Sequence, residues 1–275
     1  MSNQRLMEQL NETVQYIQSQ VQITAKVGIV LGSGLGNLAN LVEVEKEIPY
    51  TQIPNFPTST VKGHGGKLIM GKLKNKPVLV MSGRFHYYEG YTAQQVVFPV
   101  RVMRMLGIET LLLSNAAGAV NPDYKVGDLM VLKDHISFFT ANPLIGPNEE
   151  NLGTRFPDMS EPYCKKLIEK AIHIARENNI ELHEGVYTAV TGPTFETRAE
   201  YQLIKTVGSD VVGMSTVQET IAAVHAGMKV FAVSVVTDLG IRHEENVITH
   251  EEVLEAAKAA EPKLSTLFIE LIQQI

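Results

Sequence analysis

The sequence predicts an α/β protein built as one domain. Three observations carry that expectation. Apolar runs of strand length recur along the chain, at Lys26–Leu31, Glu109–Ser114 and Lys229–Val236 among others. Several strand-like runs empty into turns of small and polar residues, and S/T-x-x-E/Q helix starts recur after them. No repeat, low-complexity tract or Ser/Gly-rich linker divides the 275 residues. Residues 1–275 therefore read as a single unit, with residues 1–25 contributing a helix that packs on it.

Composition bounds the possible functions. A hydrophobic content of 44% with 20% charged residues supplies a real core in an ordinary globular chain. The net charge of −6 gives no reason to expect nucleic acid or an anionic membrane surface as partner. No apolar run approaches the ~20 residues of a membrane span. The polar, Gln-rich first 20 residues lack the basic-then-apolar order of a signal peptide. One cysteine, Cys164, excludes an internal disulfide framework and fits a reducing cytosol. It falls among apolar positions of a helical pattern, where a buried and inert thiol is expected.

Taken in order, Gln4 to Val21 has helical spacing, with Leu6, Leu10, Val14, Ile17 and Val21 on one face. The strand Lys26–Leu31 runs into Gly32-Ser-Gly-Leu-Gly36, whose backbone N–H groups can converge on an anion, with Ser33 adding a hydroxyl. A plain tight turn explains that stretch equally well on its own. It is not the G-x-G-x-x-G of a dinucleotide fold, and it lacks the Gly-Lys-Ser/Thr of a P-loop. Pro49 to Gly66 reads as an irregular loop, with His64 between glycines. Strands at Leu68–Leu73 and Pro77–Met81 follow, joined by the Lys74-Asn-Lys76 turn.

The second of these strands empties into Ser82-Gly-Arg-Phe-His-Tyr-Tyr-Glu-Gly90. Arg84 and His86, two residues apart, share one side of an extended backbone, and both suit phosphate oxygens. Glu89 is placed to orient the histidine ring. Thr92 to Gln95 opens a helix to about Leu106. Glu109–Ser114 ends in Asn115-Ala-Ala-Gly118, small residues that permit close approach of a ligand. Gly127 to Leu132 is a further strand, Asn142 to Phe156 a long loop, and Ser160 to Asn178 an amphipathic helix.

Strand Val186–Val190 turns at Gly192-Pro193 into Thr194-Phe-Glu-Thr197, with Thr197 and Glu200 starting a helix. A flat apolar face, Phe195, beside an acceptor, Glu196, suits a planar heterocycle that carries N–H groups. Asp210 to Thr216 turns directly into another helix, with Thr216 and Glu219 as its capping pair and Ser215 at its N-terminus. The strand at Lys229–Val236 ends in Thr237-Asp238, and Thr249 caps a terminal helix with His250 in its first turn. The polar residues thus collect outside strand ends, where α/β sheets bind ligands. Neither H-E-x-x-H, C-x-x-C nor an acidic cluster of metal spacing occurs, and G-x-S-x-G is missing.

Gly32-Ser-Gly-Leu-Gly36, Gly63-His-Gly65, Gly83-Arg-Phe-His86 with Tyr88-Glu-Gly90, Ser114-Asn-Ala-Ala-Gly118, Gly192-Pro-Thr-Phe-Glu-Thr197 and Gly213-Met-Ser-Thr216 together resemble the trimeric purine nucleoside phosphorylases. The likeness runs from about Lys26 to the C-terminus. It implies one α/β domain around a mixed central sheet flanked by helices, a cytoplasmic homotrimer, and no metal or organic cofactor, inorganic phosphate being a co-substrate. It implies phosphate binding by Ser33, His64, Arg84, His86, Asn115, Ser215 and the backbone of Ala116. Tyr88, Met214 and His250 would face the ribose, joined by Phe156 of the partner subunit. Ala117, Phe195, Glu196, Val212, Gly213, Thr237 and Asp238 would line the base pocket, with His86, Glu196 and Asp238 carrying the chemistry.

One position departs from the family pattern. Many members that take 6-oxopurines have Asn where this chain has Asp238. Asn donates to O6 and accepts from N7–H, whereas an ionised Asp only accepts. Asp238 therefore favours a 6-amino group, as in the related methylthioadenosine phosphorylases, while Glu196 suits the N1–H of hypoxanthine or guanine. Inosine and guanosine are the expected substrates, with adenosine or methylthioadenosine the alternative. Two readings of other kinds stand beside these: a nucleotide-dependent dehydrogenase, which needs the fingerprint this chain lacks, and a nucleoside-binding protein without turnover.

Overall fold

In a computed structural model that describes residues 3–58, 65–241 and 248–275, nine strands form one mixed sheet flanked by helices. The chain begins with α1 (Asn3–Gln20), β1 (Val27–Val30), β2 (Glu43–Pro49), β3 (Lys67–Leu73), β4 (Lys76–Ser82), α2 (Ala93–Met105) and β5 (Thr110–Ala119). It continues through β6 (Leu129–Phe139), α3 (Lys165–Glu177), β7 (Leu182–Val190) and α4 (Arg198–Thr206). The last elements are β8 (Val211–Gly213), α5 (Val217–His225), β9 (Lys229–Leu239) and α6 (His250–Gln273).

The strand order is β2-β3-β4-β1-β5-β8-β7-β6-β9, and β9 pairs back onto β5. Five strands therefore close a ring, β5-β8-β7-β6-β9, with β1 to β4 extending from β5 as an open wing. The pairs β1–β4, β1–β5, β5–β9, β6–β7 and β7–β8 are parallel, and the rest antiparallel. Central strands are buried on both faces, which is why β1 and β5 read as continuous apolar runs with no alternation.

Two helices matter for the site. The side chains of Leu264, Leu267, Phe268, Leu271 and Ile272 on α6 are at most 1% exposed, each burial stabilising by about 1.5–3 kcal/mol. That docking fixes where His250, at the start of α6, can reach. On α1, Leu10 and Ile17 are fully buried, and the Thr13 hydroxyl donates to Pro54 O at 2.8 Å, tying the helix to the segment that follows β2.

The structure lengthens or adds several elements. β5 was expected to end at Ser114, but backbone pairing with β9 carries it through Ala119. Small residues at 115–119 look like a turn, yet they are compatible with a strand that a neighbour stabilises. β6 likewise runs seven residues beyond the expected Leu132, to Phe139. β2 was not anticipated, because its surface is charged and only Ile48 is buried. α3 starts at Lys165, not Ser160, since Ser160 is held in a turn by Asp158. Cys164 is the N-cap of α3 and only partly buried, which corrects the expectation of a buried thiol.

Candidate active site

The site opens where β5 changes partners. Thr110–Leu113 pair with β1, and Gly118–Ala119 pair with β8 on the side that β1 has vacated. Along Ser114–Ala117 that edge has no strand partner among the described residues, while β9 covers the other edge throughout. This is the kind of switch point at which α/β sheets bind ligands. A cavity of about 390 Å³ lies there, large enough for a small organic ligand.

The turn after β1 presses close to that open edge. A Cβ on Gly32 would stand 2.7 Å from Ser114 O, so only glycine lets the two backbones meet. Gly32 N–H donates to the Ser114 hydroxyl at 3.2 Å. Ser33, the next residue, lines the cavity.

The cationic corner is built on Arg84, which is 1% exposed. Its Nη1 donates to Ser114 O at 2.5 Å, and its Nε and Nη2 lie 3.1 and 2.9 Å from the two carboxylate oxygens of Glu219. A guanidinium held on two sides in this way presents a fixed charge to the cavity. His86, also buried, is oriented as its neighbour predicts. Glu89 Oε1 lies 3.0 Å from its Nδ1 and accepts its backbone N–H at 2.8 Å. The ring stacks on Tyr88 at 4.7 Å between centroids. Burial, then Glu89, push the Tyr88 phenol up to about 12, so it stays neutral at working pH.

Thr216 is the strained residue of the site. Its φ of +68° and ψ of −49° are rare for a β-branched side chain. Val217 N–H donates back to Ser215 O at 2.7 Å, closing a γ-turn centred on Thr216. Glu219 accepts Thr216 N–H at 3.0 Å, and the Thr216 hydroxyl accepts the Asn115 amide at 2.9 Å. Such strain costs about 1–3 kcal/mol and persists only where neighbours enforce it. Here the turn delivers Ser215 and Met214 to the cavity wall. The buried Oδ1 of Asn115 has no partner among the described residues, which leaves an acceptor for a ligand N–H or O–H.

The acidic corner rests on a bulge. The β5–β9 register shifts between Ala117 and Gly118, so that Thr237 is extra in β9. Adjacent strand residues ordinarily point to opposite faces, but the bulge lets both Thr237 and Asp238 line the cavity. Gly118 makes room, since a Cβ there would stand 2.7 Å from Asp238 Oδ2. Glu196 faces the same space, from the loop that contains the cis Gly192–Pro193 peptide. Burial, and after it the charge of Asp238, raise the Glu196 pKa, and the nearby Tyr201 hydroxyl offsets part of that rise. Phe195 lies beside it, 40% exposed.

Ser33, Arg84, His86, Tyr88, Asn115, Ala116, Ala117, Phe195, Glu196, Val212, Gly213, Met214, Ser215, Thr237, Asp238 and His250 all line this one cavity. Phe156 does not. It is 86% exposed, with Arg155 5.5 Å over its ring, and lines a separate depression with Phe138 and Ile145. His64 lies outside the described residues. Glu219, Tyr187 and Tyr201 were not foreseen as parts of the site. Glu219 was legible as half of a cap, but its pairing with Arg84 joins positions 135 apart in sequence. Tyr187, whose hydroxyl accepts Ser215 N–H at 3.2 Å, looks in the sequence like any core aromatic. Among the described residues, no group of three His, Cys, Asp or Glu side chains is arranged to hold a metal.

A model of the phosphorylase superfamily matches residues 26–273. Purine nucleoside phosphorylase 1 of Bacillus subtilis is 46% identical over 268 residues, spanning 98% of this chain and 97% of its own. The chain belongs to the purine nucleoside phosphorylases. A Schistosoma mansoni purine nucleoside phosphorylase in complex with inosine superposes with a TM-score of 0.90 at 41% identity, covering 98% of this chain and 96% of that one. The complex of a Schistosoma mansoni purine nucleoside phosphorylase with adenosine gives 0.92 at 42% identity, with 98% and 97% covered. The match to the phosphorylase superfamily starts at residue 26, just before β1, so α1 lies outside it.

Proposed function

We propose that this cavity carries out reversible phosphorolysis of purine ribo- and deoxyribonucleosides, with inosine and guanosine preferred. The products are the free base and (deoxy)ribose 1-phosphate. The observation that carries the reading is one cavity with a buried cation at one end and two carboxylates at the other. β5 measures their separation. Arg84 grips Ser114 O, and Asp238 lies opposite Gly118. Four residues of strand span about 13 Å, room for phosphate, sugar and purine in a row.

Each group then has a task. Arg84, His86, Ser33, Ser215, Asn115 and the Ala116 backbone hold the phosphate. A phosphate oxygen forms a bond to C1′ as the C1′–N9 bond breaks, and the electron pair of that bond leaves with the purine, which gains a proton. No protein nucleophile is required, so the protein's work is placement and charge stabilisation. Tyr88, Met214 and His250 face the ribose, completed by Phe156 of the partner subunit. Ala117, Phe195, Val212, Gly213 and Thr237 enclose the base, Glu196 accepts N1–H, and Asp238 meets position 6 and N7.

The enzyme works without a metal or organic cofactor, as a homotrimer in the cytoplasm. Support for assembly comes from Phe138, Ile145 and Phe156, which are 71–90% exposed around one depression. Among the described residues no helix is long and apolar enough to cross a membrane.

Asp238 favours a second reading, in which 6-aminopurine nucleosides are taken as well or better, because an ionised carboxylate accepts from an amino group. Initial rates on inosine, guanosine and adenosine, with and without phosphate, separate the two. Cleavage that ignores phosphate overturns phosphorolysis; adenosine as best substrate overturns the 6-oxo preference. Asp238→Asn is expected to raise the inosine-to-adenosine rate ratio.

A further inference from the structure

A second cavity, of about 530 Å³, shares no lining residue with the first. It lies between α1, the segment around Phe56, the N-terminal part of α2, the loop Pro143–Glu149 and the end of α5. Arg101 reaches it from α2, one turn beyond Phe98 on the same helix face. Arg101 is 7% exposed, yet it has neither a hydrogen bond nor an ion pair among the described residues. Burial lowers its pKa, and no carboxylate offsets that burial.

One histidine and one carboxylate, Glu149, share the lining with Arg101. His225, equally buried, stands at the end of α5, and Arg101 is close enough to lower its pKa after burial has done so. Its Nε2 lies 3.3 Å from Asn148 Oδ1. The two acids of the loop are engaged elsewhere. Glu149 accepts from the Asn151 amide at 2.7 Å, and Glu150 accepts from the Asn148 amide at 2.9 Å. Around this polar floor stand Phe56, Tyr91 and Phe98.

A guanidinium stays charged in any protein and carries five donors. Recessed in the cavity wall with no protein acceptor among the described residues, its N–H groups face the cavity, and an oxyanion bound in bidentate fashion is their natural complement. We propose that this cavity is a second ligand site for a small organic oxyanion, a carboxylate or a phosphate monoester. The charged end meets Arg101, and the apolar body lies against Phe56, Tyr91 and Phe98. Nothing in this assignment depends on the reaction at the first cavity.

Benzoate and phenyl phosphate test it, with benzyl alcohol as the neutral control, titrated calorimetrically into enzyme whose active site is filled by saturating phosphate and hypoxanthine. At least one acid is expected to bind the wild type with one site per chain, and Arg101→Gln to weaken it at least tenfold. Whichever acid binds more tightly identifies the headgroup. Benzyl alcohol binding as well as the acids, equal binding by Arg101→Gln, or no binding to the wild type, as when assembly fills the cavity, overturns the proposal. Melting in buffer free of both acids supplies a second readout. Arg101→Gln should melt no lower than the wild type, and the acid should raise only the wild-type Tm. A variant that melts well below the wild type would show a structural partner for Arg101 and overturn the assignment.

Discussion

Glu219 binds two things that the site needs fixed, the Arg84 guanidinium and the backbone of Thr216 in its γ-turn. Removing one partner of a buried pair costs about 3–5 kcal/mol, because the other charge is left uncompensated. Glu219→Gln keeps the shape and one acceptor, so a loss of about 3 kcal/mol in urea denaturation is expected. The KM for phosphate should rise at least tenfold while that for the nucleoside moves little; an unchanged phosphate KM would separate Glu219 from the site. Glu196 behaves differently. Its pKa in the folded chain is raised, by burial first and then by Asp238. Stability tied to its neutral form is therefore present below the ordinary carboxylate pKa and is lost as pH rises through the folded value. Glu196→Gln removes that loss. Calorimetric Tm values should favour the variant at neutral pH, and the difference should shrink in acid; a difference independent of pH would contradict the linkage.

At the scale of elements, the close meeting of the β1 turn with β5 sets which glycines matter. Gly32→Ala places a methyl 2.7 Å from Ser114 O and 2.9 Å from Asn115 Cα, both backbone atoms that cannot step aside. A cost of about 1–3 kcal/mol and a large fall in kcat/KM are expected. Gly36→Ala, with nothing within 4 Å, should stay within about 0.5 kcal/mol and keep activity. Denaturation curves and initial rates on the two variants check the contrast. The sequence displayed this region well, since a glycine-rich turn after an apolar strand has a recognisable form. It displayed α4 and α6 equally well, because capping pairs such as Thr197 with Glu200 are local signals. It did not display the far half of β5 or the bulge at Thr237, which exist through pairing between segments about 120 residues apart. The same holds for the site. Arg84, His86 and Glu89 sit within six residues and could be read together, whereas Glu219 and Tyr187 act only through the fold.

For the whole molecule, the depression with Phe138, Ile145 and Phe156 is the surface on which assembly is expected. Phe156→Ala should raise the nucleoside KM by about tenfold, the order of 1.4 kcal/mol, and leave the phosphate KM unchanged. Sedimentation of the variant should still show a trimer. Equal nucleoside KM values would remove Phe156 of the partner subunit from the site. The ring formed by β5, β8, β7, β6 and β9 has a further effect, on what the protein does at high concentration. Apart from the short edge of β5 inside the site, strands closed on each other offer no free ladder, and among the described strands only β2 is bonded on one side alone. An unpaired strand edge is a template for sheet growth between molecules. β2 presents Glu43, Glu45, Lys46 and Glu47 there, breaks its register between Val44 and Lys46, and ends in Pro49. The same charged surface that hid this strand from sequence reading is the chain's protection against aggregation.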